Sequence, residues 1–392
     1  MKLNHDLHLA YCTNIHRGES WAETWGALRE FTLAVRDRVC PGRPYAIGLR
    51  LSDAAARELC QPKPLLEFQR WLEQNNCYVF TINGFPFGQF HGGQVKEQVY
   101  RPDWTSSDRV NYTNRLFDIL AQLLPPGVEG SVSTVPFSFK EFNLSEDQQR
   151  QARDNIFRSV EHIDLVGQQT GRRLHLGLEP EPLCFLETTE ETVRFFDRLR
   201  NEHPNDRRLV DLLGVNYDTC HLAVEFENPA ESVAQLRRNE IKISKLHLSA
   251  ALKLRPTAPA RQALGAFADD TYLHQVVARD ADGKLSRYKD LDLALAAQDA
   301  LAEEWRVHFH IPLHSPPGAW FGNTTDHLLG VLDVLQADSH LCSHLEMETY
   351  TWEVMPPELK SRSVVEQLTS EYQWCLQALT ARGLAGAGAG KP

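Results

Sequence analysis

Short apolar-rich runs alternate with longer segments of helical period along almost the whole chain, and that alternation leaves few folds open. The runs lie at 8–13, 45–51, 77–83, 130–136, 172–179, 212–218, 241–248, 305–311 and 341–348. After the first run, Trp21, Trp25, Leu28, Phe31, Val35 and Val39 fall on one stripe of a helix. Ser20 with Glu23, Ser145 with Gln148 and Thr188 with Glu191 each read as a capping box opening a helix. Strands alternating with helices over a whole chain imply parallel βαβ units. Eight such units closed on themselves make a TIM (β/α)8 barrel, typically about 250 residues and more with insertions. The chain has 392 residues, and its nine candidate strands are one too many for a barrel. The surplus is assigned to 305–311, inside a long insertion of about 250–340 between the last two barrel strands. An open doubly wound sheet is the rival. With no internal repeat or linker, residues 1–382 are read as a single α/β barrel domain, followed by a flexible Gly/Ala tail at 383–392.

The strands carry an unusual polar face. Strands of parallel sheets normally read as nearly continuous Val, Ile and Leu. Here Leu174, Leu176 and Leu178 oppose Arg173, His175 and Glu179, and Leu213, Val215 and Tyr217 oppose Asn216 and Asp218. Val307, Phe309 and Ile311 oppose Arg306, His308 and His310, while Leu345 and Met347 oppose His344, Glu346 and Glu348. The apolar faces are expected to pack on helices and the polar faces to point into the barrel. Several of the polar residues close their strands, and the C-terminal rim of a TIM barrel is where sites are built. Buried carboxylates need a compensating cation. Carboxylates converging with imidazoles suit a divalent ion with mixed oxygen and nitrogen ligands, such as manganese, zinc, cobalt or magnesium. A lone His or Glu at a strand end is ordinarily hydrogen-bonded or solvated, and His5, His8, His91 and His203 are read that way. Glu179, Asp218, His247 and Glu348, each closing a strand in the same manner, are read together as the metal ligands.

Composition narrows the partners. Lys plus Arg number 41 against 52 Asp plus Glu, a formal net charge of −11, the reverse of the basic excess of nucleic-acid binders. No run approaches the roughly 18 apolar residues of a membrane span, and the first residues lack the apolar core of a signal peptide. The eight cysteines are scattered, with no CxxC pair. A cytoplasmic protein is the expectation, with no nucleic-acid partner and no membrane insertion.

GLEP (177–180), DTCH (218–221), KLHLS (245–249) and MET (347–349) resemble the motifs of the xylose-isomerase-like TIM-barrel superfamily. That superfamily includes sugar isomerases and epimerases, inosose-processing enzymes and the endonuclease IV type of apurinic endonuclease. The resemblance implies that Glu179, Asp218, His247 and Glu348 hold one divalent ion, with His221 beside it touching substrate oxygens. A wider similarity runs through AYCTNIHRGESW (10–21), NGFPFGQFHG (83–92), KEQVYRPDW (96–104), YLHQVV (272–277), HFHIPLH (308–314) and ETYTWEVMP (348–356). These stretches resemble the metabolite traffic protein EboE family. Its members are encoded beside a prenyltransferase-like membrane protein and a sugar-phosphate-cyclase relative, which implies a secondary-metabolite pathway and pathway partner proteins. His308 and His310 resemble the D-x-H pair of the endonuclease type, with His in place of Asp. The third and fourth strands, however, end in Asn83 and in Val135-Pro136, without that type's extra histidines. A mononuclear or at most dinuclear site is therefore expected.

The chemistry implied is that of a metal-dependent isomerase, epimerase or dehydratase acting on a sugar- or cyclitol-like polyol. Glu179 and Glu348 are the candidate proton-transfer pair, with Glu181 and Glu346 as alternatives. Arg306, His221 and His310 are the candidates for fixing substrate oxygens, and Phe85, Phe87, Phe90, Trp104 and Trp352 for walling the pocket. The alternatives are a non-catalytic metabolite-binding or traffic protein that keeps the metal pocket, and an endonuclease IV-like phosphodiester hydrolase. The segment from about 250 to 300, which carries His274, is expected to cover the rim.

Overall fold

The computed structural model describes residues 1–297, 302–315, 318–360 and 363–386. Seven barrel strands come first: β1 (His8–Tyr11), β2 (Tyr45–Arg50), β3 (Cys77–Asn83), β4 (Gly130–Thr134), β5 (Leu174–Leu178), β6 (Leu213–Asp218) and β7 (Lys242–Leu248). Five short strands follow: β8 (Leu252–Leu254), β9 (Val276–Asp280), β10 (Leu285–Tyr288), β11 (Ala302–Val307) and β12 (Gly322–Asn323). The last barrel strand is β13 (His344–Met347). The barrel sheet runs β1-β13-β7-β6-β5-β4-β3-β2, and every ladder in it is parallel. A parallel bridge from Cys12 to Gly48 brings its two edges together. The chain is thus an eight-stranded, nearly closed (β/α)8 barrel.

The alternation read from the sequence explains this arrangement. Leu174, Leu176, Leu178, Leu213, Val215, Leu246 and Leu345 are buried under the surrounding helices, and the polar residues of the same strands fill the interior. All three capping boxes form, with side chain and backbone satisfying one another at Ser20, Ser145 and Thr188. Gly48 is needed where it stands. A Cβ there would lie 2.0 Å from Glu346 Oε1 and 2.6 Å from the Tyr11 carbonyl oxygen, so only glycine admits the Glu346 side chain.

Between β7 and β13 the chain builds a second, antiparallel sheet in the order β10-β9-β11-β8-β12. The 305–311 run supplies β11 of this sheet and takes no place in the barrel. Cys220, Val224, Ala251 and Val277 pack together and seat the sheet on the short helix Thr219–Val224, just beyond β6. The second sheet therefore stands at the C-terminal rim. At the other end of the chain, Leu384 and Ala385 are buried, and Asn4 donates to the carbonyls of Gly383 and Leu384. The start of the stretch expected to be a flexible tail is thus packed, because Leu384 gives it an apolar anchor; residues 387–392 lie outside the described residues. No described helix is long and apolar enough to cross a membrane.

Candidate metal centre

Strand register sets the centre. Asp218 pairs with His247 across β6 and β7, and His247 pairs with Glu346 across β7 and β13. Glu179 and Glu348 each follow the last residue of a strand, with their amides held by the Thr134 and Leu248 carbonyls of neighbouring strands. Three adjacent strands and β5 thus aim carboxylates and one imidazole at a common point. Glu179, Asp218, His247 and Glu348 are all buried, and one ligand atom from each lies within 4.8 Å of the others.

His247 is the hub. Its Nδ1 stands 3.1 Å from Glu179 Oε1, 3.2 Å from Glu348 Oε2 and 3.4 Å from Asp218 Oδ2. Two ligands on a shared ion, each bonded at about 2.0–2.2 Å, come to rest roughly 3.0–3.5 Å apart. Unused lone pairs point the same way: Glu179 Oε2 and Asp218 Oδ2 are buried with no hydrogen-bond partner. Asp218 Oδ1, by contrast, accepts from the amides of Cys220 and His221 and from Ser249 Oγ, capping the helix that follows. One oxygen is fixed and the other is left for a cation. The donor set fits a divalent ion with mixed carboxylate and imidazole ligands.

Burial alone would push the His247 imidazole toward its neutral form, but the Glu348 and Glu179 carboxylates outweigh it and raise its pKa well above the usual value. A proton on His247 therefore stands in for the cation. On the far side of the ring, Nε2 donates to Glu346 Oε2 at 2.8 Å, and Lys245 Nζ donates to the same oxygen at 2.5 Å. Burial opposes ionisation of Glu346, yet Lys245 and His247 hold its pKa at about 2. This carboxylate fixes the ring orientation and keeps Nδ1 turned to the ligand cluster, as carboxylate–histidine–metal relays do. Glu346→Gln is expected to weaken divalent-ion affinity by about 10- to 100-fold while leaving the ligands in place. Titration of chelator-stripped protein with manganese checks it, and an unchanged affinity would show that Glu346 serves the barrel core alone.

Glu348 is also held from above. Its Oε1 accepts from Asn14 Nδ2 at 2.7 Å and from Asn83 Nδ2 at 3.0 Å. Asn14 is fixed in turn by His91, whose Nε2 donates to the Asn14 carbonyl and whose Nδ1 meets Tyr272 Oη at 2.6 Å. Neither Asn14 nor the role of His91 was legible in the sequence; Asn14 sits in the 3-10 turn Thr13–Ile15 after β1 and His91 in the loop after β3, and only barrel closure brings them together. Asn83, at the end of β3, was visible as a polar strand end.

His221 and His310 lie beside the ligand cluster, with His221 Nε2 3.9 Å from Asp218 Oδ2 and His310 Nδ1 3.8 Å from Glu348 Oε2. Arg306 does not reach it. Its guanidinium donates to the Glu304 carboxylate and the Ala223 carbonyl and lies over the Phe226 ring. The alternation that placed it with His308 and His310 breaks after Val307, where β11 ends and the Phe309 amide turns back to the Val307 carbonyl. Arg306 thus leaves the list of substrate-contact candidates.

The cluster opens on a cavity of about 50 Å³ lined by Glu179, Glu348, His221, His308, Phe85, Phe90 and Tyr350, among others. That space holds a few waters. Phe87 instead packs on Tyr112, Trp104 is sealed in the core, and Trp352 lies under Lys360. From the second-sheet region, Tyr272 and Leu273 line the cavity, whereas His274 turns to Asp269 and the His308 carbonyl. Glu181 lines it too, and burial raises its pKa well above the usual carboxylate range; Tyr100 Oη donates to it at 2.7 Å.

No protein-family model and no curated protein matches the sequence. Solved structures match it in shape. A xylose isomerase-like TIM barrel protein from Mycobacterium smegmatis in complex with magnesium aligns with a TM-score of 0.53 at 14% identity, covering 97% of this chain and 99% of that one. The chain has the xylose-isomerase-like TIM-barrel fold. An L-ribulose 3-epimerase aligns with a TM-score of 0.52 at 12% identity over 96% of both chains. An IOLI protein with a binding zinc atom gives 0.51 at 13% identity, over 96% of this chain and 99% of that one. At such identities the likeness is one of fold.

Proposed function

We propose that the chain is a metal-dependent isomerase or epimerase acting on a small sugar- or cyclitol-like polyol. The observation that carries this reading is the convergence of Glu179, Asp218, His247 and Glu348 on one point, with two glutamates on strands three places apart flanking the cavity. Similarity in fold to an L-ribulose 3-epimerase and to metal-bearing barrels supports it. The resemblance to the metabolite traffic protein EboE family sets the proposed context, a cytoplasmic step in making or moving a secondary metabolite. Eight unpaired thiols suit a reducing compartment.

Bound in the cluster, a divalent ion would polarise a substrate carbonyl as a Lewis acid. The protein's own groups then manage the proton. Glu348 Oε1 is clamped by two amide donors, whereas Glu179 Oε2 has none, so Glu179 is assigned the removal of the substrate proton, and Glu348, protonated from solvent before turnover, the delivery of another to the opposite face, after which both carboxyls re-equilibrate with solvent. His221 lines the space where substrate oxygens would lie, and His310 stands 3.8 Å from Glu348 Oε2. The Phe85, Phe90 and Tyr350 rings wall that space.

The test is deuterium exchange from solvent into a ketose or cyclitol that the manganese-loaded protein binds. Glu179→Gln and Glu348→Gln should each slow exchange by about 10²- to 10⁴-fold. Exchange that survives in both variants would rule this pair out. Binding of polyols without exchange would favour the non-catalytic metabolite-binding reading, and cleavage of a phosphodiester would favour the hydrolase.

A further inference from the structure

The cavity over the ligand cluster holds one carboxyl that the proposed proton transfer does not use. Glu181 lines it beside Glu179 and Glu348. Its Oε1 accepts from Tyr100 Oη at 2.7 Å, and its Oε2 is buried with no hydrogen-bond partner. Tyr100 is held in turn by Gln275, whose Nε2 donates to Tyr100 Oη at 2.9 Å. The carboxyl is therefore fixed in place. A buried carboxylate needs a partner of opposite charge, and the lining offers none. Lys96 is the one Lys or Arg among the described residues that line the cavity. Its Nζ donates to the Asp269 and Tyr272 carbonyls at 2.9 and 2.8 Å and to Asp290 Oδ2 at 2.6 Å, so all three of its donors are taken.

Three aromatic rings wall the same cavity. Phe90 comes from the loop after β3, Tyr272 from the segment before β9 and Tyr350 from the turn after β13. The Phe90 and Tyr272 centroids lie 5.3 Å apart, and each lies 5.1 Å from that of Tyr350. The ring planes are inclined by 50°, 57° and 73°, so the rings splay instead of stacking. An aromatic cage beside a carboxylate suits an organic ammonium: the ring faces attract the positive charge, and the carboxylate accepts its N–H groups. The surroundings carry the same sign. Lys96 and Leu273 also line an outer cavity of about 410 Å³, where Glu97, Asp269, Asp270, Asp290 and Asp292 face Lys96 and Lys289. A phosphorylated substrate coming from that side would meet negative charge, and no free cation at the inner end.

We propose that the substrate is an unphosphorylated polyol bearing a primary amine, an aminocyclitol or amino sugar. Glu181 and the Phe90, Tyr272 and Tyr350 rings hold its ammonium, while its hydroxyls face the ligand cluster. This names the substrate class of the isomerase reading and rests on that reading for the reaction, but amine binding is measured without turnover. The inner cavity, at about 50 Å³, is smaller than the roughly 300–1,000 Å³ of ordinary ligand pockets. The wall of Lys96 and Leu273 shared by the two cavities therefore has to move to admit the ring.

The test titrates full-length, manganese-loaded protein calorimetrically with scyllo-inosamine, scyllo-inositol and myo-inositol 1-phosphate. The amine is expected to bind about 10- to 100-fold more tightly than scyllo-inositol, and the phosphate more weakly than either. Glu181→Gln should abolish the difference between amine and neutral cyclitol, and Phe90→Leu should narrow it by about 2- to 30-fold. Thermal unfolding of each variant checks that it folds, and the wild-type comparison needs no variant. In crystals soaked with scyllo-inosamine, the amine nitrogen should lie within hydrogen-bond distance of Glu181 Oε2. Equal affinity for amine and neutral cyclitol, binding of neither, a difference that survives Glu181→Gln, tighter binding of the phosphate, or a metal ion bonded to Glu181 would each overturn the proposal. Solvent-deuterium exchange separates the two readings. Exchange into a neutral polyol with no preference for the amine overturns the amine assignment and leaves the isomerase standing. Amine-selective binding without exchange upholds the assignment and overturns the isomerase.

Discussion

Replacing His247 by alanine should cost the carboxylate cluster its ion. The imidazole contributes the one nitrogen ligand there, and its loss leaves Glu179, Asp218 and Glu348 as buried carboxylates facing one another. Manganese affinity is expected to fall by at least about 10²-fold, beyond the loss from disturbing an outer-shell partner. In wild type the same imidazole makes affinity pH-dependent. Its pKa is raised well above the usual value by Glu348 and Glu179, against the effect of burial, so ion binding must displace a proton. Affinity should therefore rise by about tenfold per pH unit between roughly pH 6 and 7. Calorimetric titration in two buffers of different ionisation enthalpy reads the released proton directly. A pH-independent affinity would mean that His247 is not displaced from its proton and is not a ligand.

Acid should unfold this protein at a milder pH than its carboxylates alone would require. His8, His175 and His327 are each held at about 4 and His16 at about 3, in every case first by burial, with Lys2 and the N-terminus adding to it at His8 and Lys242 at His175. His344 is pushed well below its ordinary value by burial and by His175 and His8. An imidazole depressed on folding is neutral in the native state, while the unfolded chain takes up its proton below about pH 6.5. Its contribution is therefore fully present above that pH and is lost as pH falls toward 4. At neutral pH His8, His175 and His327 each contribute about 3 kcal/mol and His16 about 5 kcal/mol, against a typical total of about 5–15 kcal/mol. Urea midpoints should drop steeply from pH 6.5 to 4.5, and His175→Gln should flatten the slope. A midpoint constant over that interval would contradict the burial of these rings as neutral groups.

Those histidines also show where the sequence was readable and where it was not. The period of two placed His175 and Glu179 on one face of one strand, and the structure agrees that both point inward. Periodicity says nothing of height along the barrel axis. His175, His344 and His8 sit at the strand starts and form a floor bonded to Ser244, Ser131 and Tyr78 hydroxyls, while Glu179 and Glu348 sit at the rim. The barrel strands were legible because each changes abruptly from a helical to an alternating pattern. The β9–β10 hairpin was not, since its second strand, LSRY, is short and half-exposed. Its one signal was the turn at Asp282-Gly283, where Gly283 has φ +80°. Arg306 was misplaced because alternation was extended past the real end of β11. Glu346 and Lys245 were visible as inward-facing residues, but their place behind His247 depends on the register between β7 and β13.

The most direct measurement is anomalous diffraction from crystals grown with excess manganese at neutral or slightly alkaline pH. A single strong peak about 2.0–2.3 Å from His247 Nδ1 and from oxygens of Glu179, Asp218 and Glu348 is the result expected. No manganese peak among those four side chains, in crystals where they keep the positions described, would contradict it.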